Sequence, residues 1–240
     1  MLKTRGSIFS RACVQSEVEF IESMTRPRVM SEAMIKGIVI HELVLLGKLT
    51  DRIVSIPYAD YKTEKARELR DEALAMDKVP VIKSKLEELQ DQDYREVREH
   101  FKGMTCEEKG AFVYKNQAIV TTTTDAYNDV KVTDFKTTES GSFANLEKMA
   151  FQRGYVEQVF LYMSGERARQ KAQGKPLMKI GEILFYNFET NIQQGLTFEY
   201  EEVIEQCTNR LDNVGLRNLQ AWEDYKQGKR NWGMTPYLYR

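Results

Sequence analysis

The spacing of apolar residues changes along the chain, and this change limits the fold more than any other feature. Residues 9–24 carry apolar side chains at helical spacing, and further helical patterns follow up to about residue 100. Runs rich in Thr and Val then favour short strands, and helical spacing returns from residue 144. A chain with helices on both sides of a strand cluster predicts an α/β fold, in which helices cover a central sheet.

The predicted elements follow one another without a Gly-, Ser- or Pro-rich linker and without an internal repeat. The predicted helices cover residues 9–24, 31–46, 58–76, 80–100, 144–173 and 201–225, and the fourth begins at Pro80. The predicted strands cover residues 111–114, 117–124, 130–135, 178–189 and 195–200. We therefore expect one domain over residues 1–240. Residues 1–105 would be mainly helical, residues 106–200 would hold the sheet, and residues 201–240 would form a last helix and a basic, aromatic tail.

Charge and rare residues exclude several classes of protein. With 35 basic and 36 acidic residues the net charge is −1, so DNA contact can come only from local basic clusters. Three distant cysteines and two histidines exclude a disulfide scaffold, a Cys-rich zinc site and a site built from several histidines. The N-terminus shows no targeting segment and no apolar run is long enough to span a bilayer, so we expect a cytoplasmic protein without a membrane partner.

The segment from Asp125 to Thr138 is the most informative for chemistry. Asp134 and Lys136 lie two residues apart in a predicted strand, so their side chains share a face. Asp125 precedes Asp134 by a short turn, and a hairpin would bring the two carboxylates together. Two close carboxylates are costly unless a cation neutralises them, and oxygen ligands suit Mg²⁺ or Mn²⁺. The residues alone leave two interpretations open, a metal site and a simple ion pair.

Two helical pairs add to this pattern. Gly37 is unfavourable inside a predicted helix, and a close approach of that helix to a strand or to DNA would explain it. His41, four residues later, interrupts an apolar face and is either a core histidine or a metal ligand. Gln158 and Tyr162 are also four apart and share a helix face, which suits phosphate contact or the rim of an amphipathic helix.

The order of these residues along the chain matches the order of four motifs of one superfamily. The four are Gly37 with His41, then Asp125, then Asp134-Phe135-Lys136-Thr137, and finally Gln158 with Tyr162. The chain resembles the PD-(D/E)xK nucleases, most closely their RecB/RecE-type exonuclease branch. The resemblance implies a restriction-endonuclease-like core of order αβββαβ, with a central mixed sheet flanked by helices and an N-terminal helical elaboration. It also implies a metal-dependent DNA exonuclease that acts at DNA ends in recombination, repair or phage DNA processing.

Carried over to this sequence, the resemblance implies a role for each motif residue. His41, Asp125, Asp134 and the backbone carbonyl of Phe135 would bind Mg²⁺ or Mn²⁺. Lys136 would orient or activate the attacking water, and Gln158 and Tyr162 would position the DNA strand. Some relatives hold an iron–sulfur cluster with one early and three late cysteines. Only Cys207 is available late in this chain, so we expect no cluster.

Two basic segments are the candidate DNA contacts. Residues 165–179 hold five basic residues against one acidic residue, and residues 226–240 are basic and aromatic. Both segments also fit a solvated surface. The acidic stretch 87–108 is expected to face away from DNA or to contact another subunit. The residues we select as DNA-binding are Arg167, Arg169, Lys171, Lys175, Lys229, Arg230 and Trp232.

Two other functions stay open. The chain could be a cluster-free relative of the CRISPR-associated adaptation nuclease that trims DNA ends, or a non-catalytic module that binds DNA ends on the same scaffold. By analogy with RecE-like enzymes we also expect a homo-oligomeric ring, a recombination annealing protein as partner and, for a phage-encoded chain, the host cytoplasm as location.

Overall fold

The computed structural model describes residues 1–26, 30–139 and 142–229. The described strands are β1 Leu2–Arg5, β2 Ile53–Ile56, β3 Val79–Ile82, β4 Thr105–Tyr114, β5 Ala118–Tyr127, β6 Lys131–Thr138, β7 Ile180–Asn187 and β8 Ile192–Glu199. The described helices are α1 Gly6–Ala12, α2 Glu17–Thr25, α3 Glu32–Leu45, α4 Glu64–Ala75, α5 Lys83–Gln90, α6 Arg95–His100, α7 Phe143–Gln152, α8 Tyr155–Ala172, α9 Tyr200–Arg210 and α10 Leu216–Lys226. A π-helical turn, Leu211–Gly215, joins α9 to α10.

Six strands form a mixed sheet in the order β1-β5-β6-β7-β8, with β4 paired to the other edge of β5. The pairs β1–β5 and β6–β7 are parallel, and the pairs β4–β5, β5–β6 and β7–β8 are antiparallel. The expected fold class is confirmed: a central mixed sheet lies between helices, and α3, β4 to β6, α8 and β7 follow the αβββαβ order.

Two apolar clusters cover the two faces of the sheet. Val132 packs into the cluster that includes buried residues of α1, α8 and the C-terminal helices. Phe135, three residues later and therefore on the opposite face, packs with buried residues of α3, α5 and β3. Strand β6 is thus fixed from both sides, which places its polar residues accurately.

A buried polar cluster joins β6, β7 and α6. One carboxylate oxygen of Glu182 lies 2.8 Å from His100, 2.8 Å from Lys131 and 2.7 Å from the Thr133 hydroxyl. Burial alone would raise the pKa of Glu182, but these hydrogen bonds outweigh it and lower the pKa to about 2.

Several predicted helices differ from the observed ones. Residues 9–24 form two helices, because Ser16 accepts a hydrogen bond from the Glu19 backbone and starts α2. Pro80 does not begin a helix but lies in β3, opposite Val54 of the two-stranded parallel sheet β2–β3. Residues 144–173 are broken at Gly154, which has φ +72°, and a side chain there would meet the Ser10 carbonyl oxygen at 2.6 Å. Strands β1, β2 and β3 lie in the region predicted to be mainly helical.

Among the described residues, no helix has the length and apolar character needed to cross a bilayer.

Candidate active site

Strands β5 and β6 separate at the centre of the sheet, and the site lies where they part. They pair only at Ala126–Thr133 and Tyr127–Val132, so that Asp125 and Asp134, the next opposed residues, are no longer joined by the ladder. Strand β1 pairs along the same edge of β5, but this pairing ends at Arg5, opposite Thr121. The Phe135 backbone N–H instead donates to Asp125 Oδ2 across the gap at 2.8 Å. The carboxylate therefore replaces a strand-to-strand hydrogen bond and is held in place by it.

Three potential ligands meet beside this gap. His41 of α3 places Nε2 at 3.2 Å from Asp125 Oδ2 and Nδ1 at 3.1 Å from Glu107 Oε1. One ligand atom from each of these three residues lies within 4.8 Å of the others. The predicted approach of His41 to Asp125 is therefore observed. Glu107 is an addition to the predicted set. It belongs to the acidic stretch 87–108, whose expected place away from DNA or against another subunit stays a prediction.

The backbone at Glu107 departs from regular strand geometry. Its neighbours Cys106 and Glu108 pair with Ala126 and Thr124, so the register places Glu107 opposite Asp125, but the ladder is interrupted there. Glu107 has φ +56°, a left-handed conformation that costs a non-glycine residue of order 1 kcal/mol or more. The distortion accompanies the approach of its carboxylate to His41.

Asp134 and Lys136 share a face of β6, as their spacing predicts. Lys136 Nζ lies 2.8 Å from Asp134 Oδ1 and 4.8 Å from the centre of the Tyr155 ring. From α8, the side-chain amide of Gln158 donates to the same carboxylate oxygen at 3.3 Å and to the Tyr162 hydroxyl at 2.6 Å. Helix α8 thus holds the Asp134 carboxylate from one face of the sheet, while α3 reaches Asp125 from the other.

The close approach of α3 to β6 accounts for Gly37. A Cβ at this position would lie 2.7 Å from the Thr137 hydroxyl oxygen, well inside van der Waals contact. The prediction that a strand explains this glycine is therefore confirmed. The absence of a side chain lets α3 bring His41, one turn later, onto the sheet.

Protons partly neutralise the concentrated negative charge of this site. Burial lowers the pKa of His41, but the neighbouring Asp125 and Glu107 carboxylates outweigh this effect and raise the pKa to about 10. Burial and the charge of Asp125 raise the pKa of Asp134 to about 7, while the pKa of Asp125 falls to about 2 because His41 outweighs the effect of burial. Burial also opposes the charge of Lys136, but the two aspartates keep its pKa above the usual value.

The residues present fit a divalent cation. Asp134 is fully buried, and its Oδ2 has no hydrogen-bond partner, which is costly for a carboxylate oxygen. Carboxylate oxygens suit Mg²⁺ and Mn²⁺, and an imidazole nitrogen is a ligand for the transition metals. Asp125, Glu107 and His41 therefore form a set of groups that could hold a metal ion, with Asp134 adjacent. The assignment of the Phe135 carbonyl as a further ligand stays a prediction.

Within the described part of the chain, the residues selected as DNA contacts do not gather at this site. Arg167 donates to the Met178 carbonyl at 2.7 Å and stacks 3.9 Å over the Tyr200 ring, and Arg169 pairs with Glu166. They lie towards the end of α8, beyond Tyr162. Lys175 lies 3.4 Å from Asp129, and Lys171 and Lys229 are exposed. Arg230 and Trp232 lie outside the described residues. The DNA-binding role of all seven stays a prediction.

The solved structures that are similar to this chain include exonucleases. A phage-related exonuclease from Haemophilus somnus 129PT aligns over 95% of this chain and 97% of its own at 12% identity, with a TM-score of 0.43. LHK-Exo in complex with dAMP aligns over 95% and 92% at 13% identity, with a TM-score of 0.41. The alkaline exonuclease LHK-Exo from Laribacter hongkongensis aligns over 78% and 97% at 13% identity, with a TM-score of 0.34. No protein-family model matches the chain, and neither does any curated protein.

Proposed function

We propose that this chain is a divalent-metal-dependent DNA exonuclease. The observation that supports the proposal is the meeting of His41, Glu107 and Asp125 beside the buried Asp134–Lys136 pair, at the point where β5 and β6 part. A simple surface ion pair, the other interpretation of the sequence, would not bury a carboxylate beside a second carboxylate. Hydrolysis of a phosphodiester needs positive charge near the phosphate oxygens and a placed water. A cation held by these ligands, together with the Lys136 ammonium, would supply the charge and orient the water.

Each side chain has a role that follows from its position. His41, Glu107, Asp125 and Asp134 would hold the cation. When bound, a divalent cation offsets the charge that develops on the phosphate oxygens and makes a water more nucleophilic. The Lys136 ammonium, 2.8 Å from Asp134, would orient the attacking water and balance negative charge in the transition state. Gln158 donates to Asp134 and to Tyr162, and would fix the carboxylate and position the DNA strand.

The ligand types bear on which cation binds. A set of carboxylates alone would suit Mg²⁺, whereas the additional imidazole strengthens binding of Mn²⁺, a better acceptor for nitrogen. We therefore propose Mg²⁺ or Mn²⁺ as the cofactor, with half-maximal activity at a lower concentration of Mn²⁺.

The test is a time course on linear DNA labelled at the 5′ or the 3′ end, and on circular DNA, with Mg²⁺, Mn²⁺ or EDTA. We expect linear DNA to be shortened from an end, circular DNA to persist and EDTA to stop the reaction. Lys136→Met should reduce the rate by about 100-fold or more, the size of effect seen when one transition-state donor is removed.

Lys131→Met is a matched control for that substitution. Lys131 lies on the same strand and also forms a 2.8 Å ion pair with a buried carboxylate, that of Glu182, but away from the site. A general loss of stability would affect both variants, whereas a catalytic role of Lys136 affects only one. Cleavage by Lys136→Met at the parental rate would refute the proposal. DNA-end binding without turnover in the parental protein would favour the non-catalytic module instead.

Further properties are proposed from the sequence resemblance alone. They are a role in recombination, repair or phage DNA processing, a ring-shaped homo-oligomer, an annealing protein as partner and a cytoplasmic location. Light scattering on the purified protein tests the ring, because a monomer would contradict it.

A further inference from the structure

One face of the sheet is open to solvent beside the candidate active site. Strand β5 lies between β1 and β4, and Val120 in its middle is fully buried in the apolar cluster that includes α1 and α8. The next residue, Thr121, points to the opposite face and is exposed. The part of the chain that the structure describes therefore leaves this face of β1, β4 and β5 uncovered. We call it the open face.

The open face is continuous with the candidate metal ligands. Asp125, Thr123 and Thr121 follow one another on the same face of β5, at intervals of about 7 Å. Lys109 of β4 pairs with Thr123, and Arg5 of β1 pairs with Thr121. The two basic residues thus stand on the open face in rows about 7 and 14 Å from Asp125.

The accessible charges of the open face are positive. Arg5, Lys109 and Lys3, which precedes Arg5 by two residues on β1, are all exposed. Among the described residues, none of these three side chains takes part in a salt bridge, whereas the acidic residues on this face of the three strands are the candidate ligands Glu107 and Asp125. The open face therefore leads from a site that suits a phosphate along a row of unpaired positive charges.

The length of the open face suits a nucleic-acid backbone. Ile119, the partner of Lys3, lies six residues from Asp125 along β5, a distance of about 20 Å. Each strand of B-form DNA carries one phosphate per about 3.4 Å of helix axis, so this length corresponds to about six nucleotides. A single nucleotide released from an end is much shorter, so the open face fits the uncut duplex rather than the product.

We propose that the open face binds the backbone of the uncut DNA duplex next to the candidate active site, with Arg5 and Lys109 at its phosphates. The inference rests on the proposed function, because it takes the end of the duplex to lie at the metal ligands. These contacts differ from the basic clusters selected from the sequence, because strand pairing, not sequence proximity, brings β1 and β4 to the two sides of β5.

The experiment removes two of these charges in the variant Arg5→Gln/Lys109→Gln. Binding of a fluorescein-labelled blunt-ended duplex is measured by fluorescence anisotropy in Ca²⁺, between about 50 and 200 mM salt. We expect Kd to rise about tenfold, the effect of two exposed ion pairs. The slope of log Kd against log salt concentration should fall by about two, because each phosphate contact contributes about 0.9. In Mn²⁺, KM for the duplex should rise with little change in kcat.

Lys65→Gln/Arg67→Gln is the matched control. It also removes one lysine and one arginine that are exposed, but from α4, which packs against β2 and β3. The two variants lower the net charge by the same amount, so the control corrects for a general loss of attraction to DNA. Its Kd and its salt slope should stay close to the parental values.

The outcomes separate this inference from the proposed function. Equal Kd values and salt slopes in the two double variants overturn the open face as a DNA path, even if linear DNA is degraded. A loss of affinity confined to Arg5→Gln/Lys109→Gln, without any cleavage by the parental protein, overturns the nuclease and keeps the DNA path. A parental protein that does not bind the duplex overturns both. A change of oligomeric state in Arg5→Gln/Lys109→Gln, seen by light scattering, assigns the open face to contact between copies and overturns the inference.

Discussion

The contact between Gly37 and Thr137 allows a quantitative test of how α3 is held on the sheet. Alanine is favoured over glycine inside a helix by about 1 kcal/mol, so Gly37→Ala would stabilise the protein if space were available. In the structure the new methyl group would lie 2.7 Å from the Thr137 hydroxyl oxygen, about 0.7 Å closer than normal contact. Overpacking of this kind costs about 1–3 kcal/mol, and the β-branched threonine adjusts poorly. We therefore expect Gly37→Ala to destabilise by up to about 2 kcal/mol.

The sign of this effect should reverse when Thr137 is replaced by alanine. The Thr137 Cβ would lie 4.0 Å from the methyl group, an ordinary contact, so the clash disappears and the helical preference remains. Gly37→Ala should then stabilise the protein by about 1 kcal/mol relative to Thr137→Ala alone. Urea unfolding of the four proteins gives the coupling energy, which we expect to be about 1–3 kcal/mol.

The same four proteins test whether α3 positions His41. A helix displaced by about 0.7 Å would misplace the imidazole, and errors near 1 Å can cost about 100-fold in rate. We expect Gly37→Ala to lower kcat/KM by about 10- to 100-fold in the parental background and by much less in the Thr137→Ala background. Stabilisation by Gly37→Ala in the parental protein, or equal effects in both backgrounds, would refute the packing argument.

Three further substitutions test other parts of the molecule. Glu107→Gln should weaken Mn²⁺ binding by at least about tenfold in calorimetry with little change in the urea midpoint, and unchanged affinity would remove Glu107 from the ligand set. Asp125→Asn and Asp125→Ala both lose the charge, but only Asn keeps an acceptor for the Phe135 N–H, so the Ala variant should unfold about 1–3 kcal/mol more easily. Equal stability of these two variants would contradict the bridging role of Asp125. The pKa of Glu182 is about 2 in the folded state and 4.5 as the ordinary value, so its stabilisation is complete above pH 4.5 and is lost as the pH falls towards 2. Glu182→Gln should flatten that part of the stability curve by about 3 kcal/mol, and an unchanged curve would contradict the assignment.

Much of the site follows from short-range spacing in the sequence. Asp134 and Lys136 share a face because the side-chain direction in a strand repeats every two residues. Gln158 and Tyr162 share a face because the side-chain direction in a helix repeats about every four residues. The same helical spacing places His41 one turn after the glycine that lets α3 approach β6. These relations hold within single elements, so a pattern of residues is enough to predict them.

Relations between distant segments are harder to predict. Strand β1 has four residues, and its partner strand β5 begins only at Ala118. Nothing local in so short a segment identifies that pairing. The prediction that a helix begins at Pro80 is wrong for a related reason. The segment around Pro80 is apolar enough for a helix or a strand, and its pairing with β2 depends on a strand from another part of the chain.

Glu107 shows which additional information would have completed the site. The residues around Glu107 are charged and do not show the apolar pattern of a strand, so the sequence predicts this strand only from residue 111. Glu107 is therefore assigned to an acidic surface stretch. Three residues, 115–117, separate the paired residues Tyr114 and Ala118, and Lys115 and Asn116 among them have positive φ. The length of such a turn fixes the register of the hairpin that it closes. Counting back from the observed pair Tyr114–Ala118 places Glu107 opposite Asp125. The missing ligand therefore depends on one turn assignment, because a hairpin register shifted by one residue would turn the Glu107 carboxylate to the other face of the sheet.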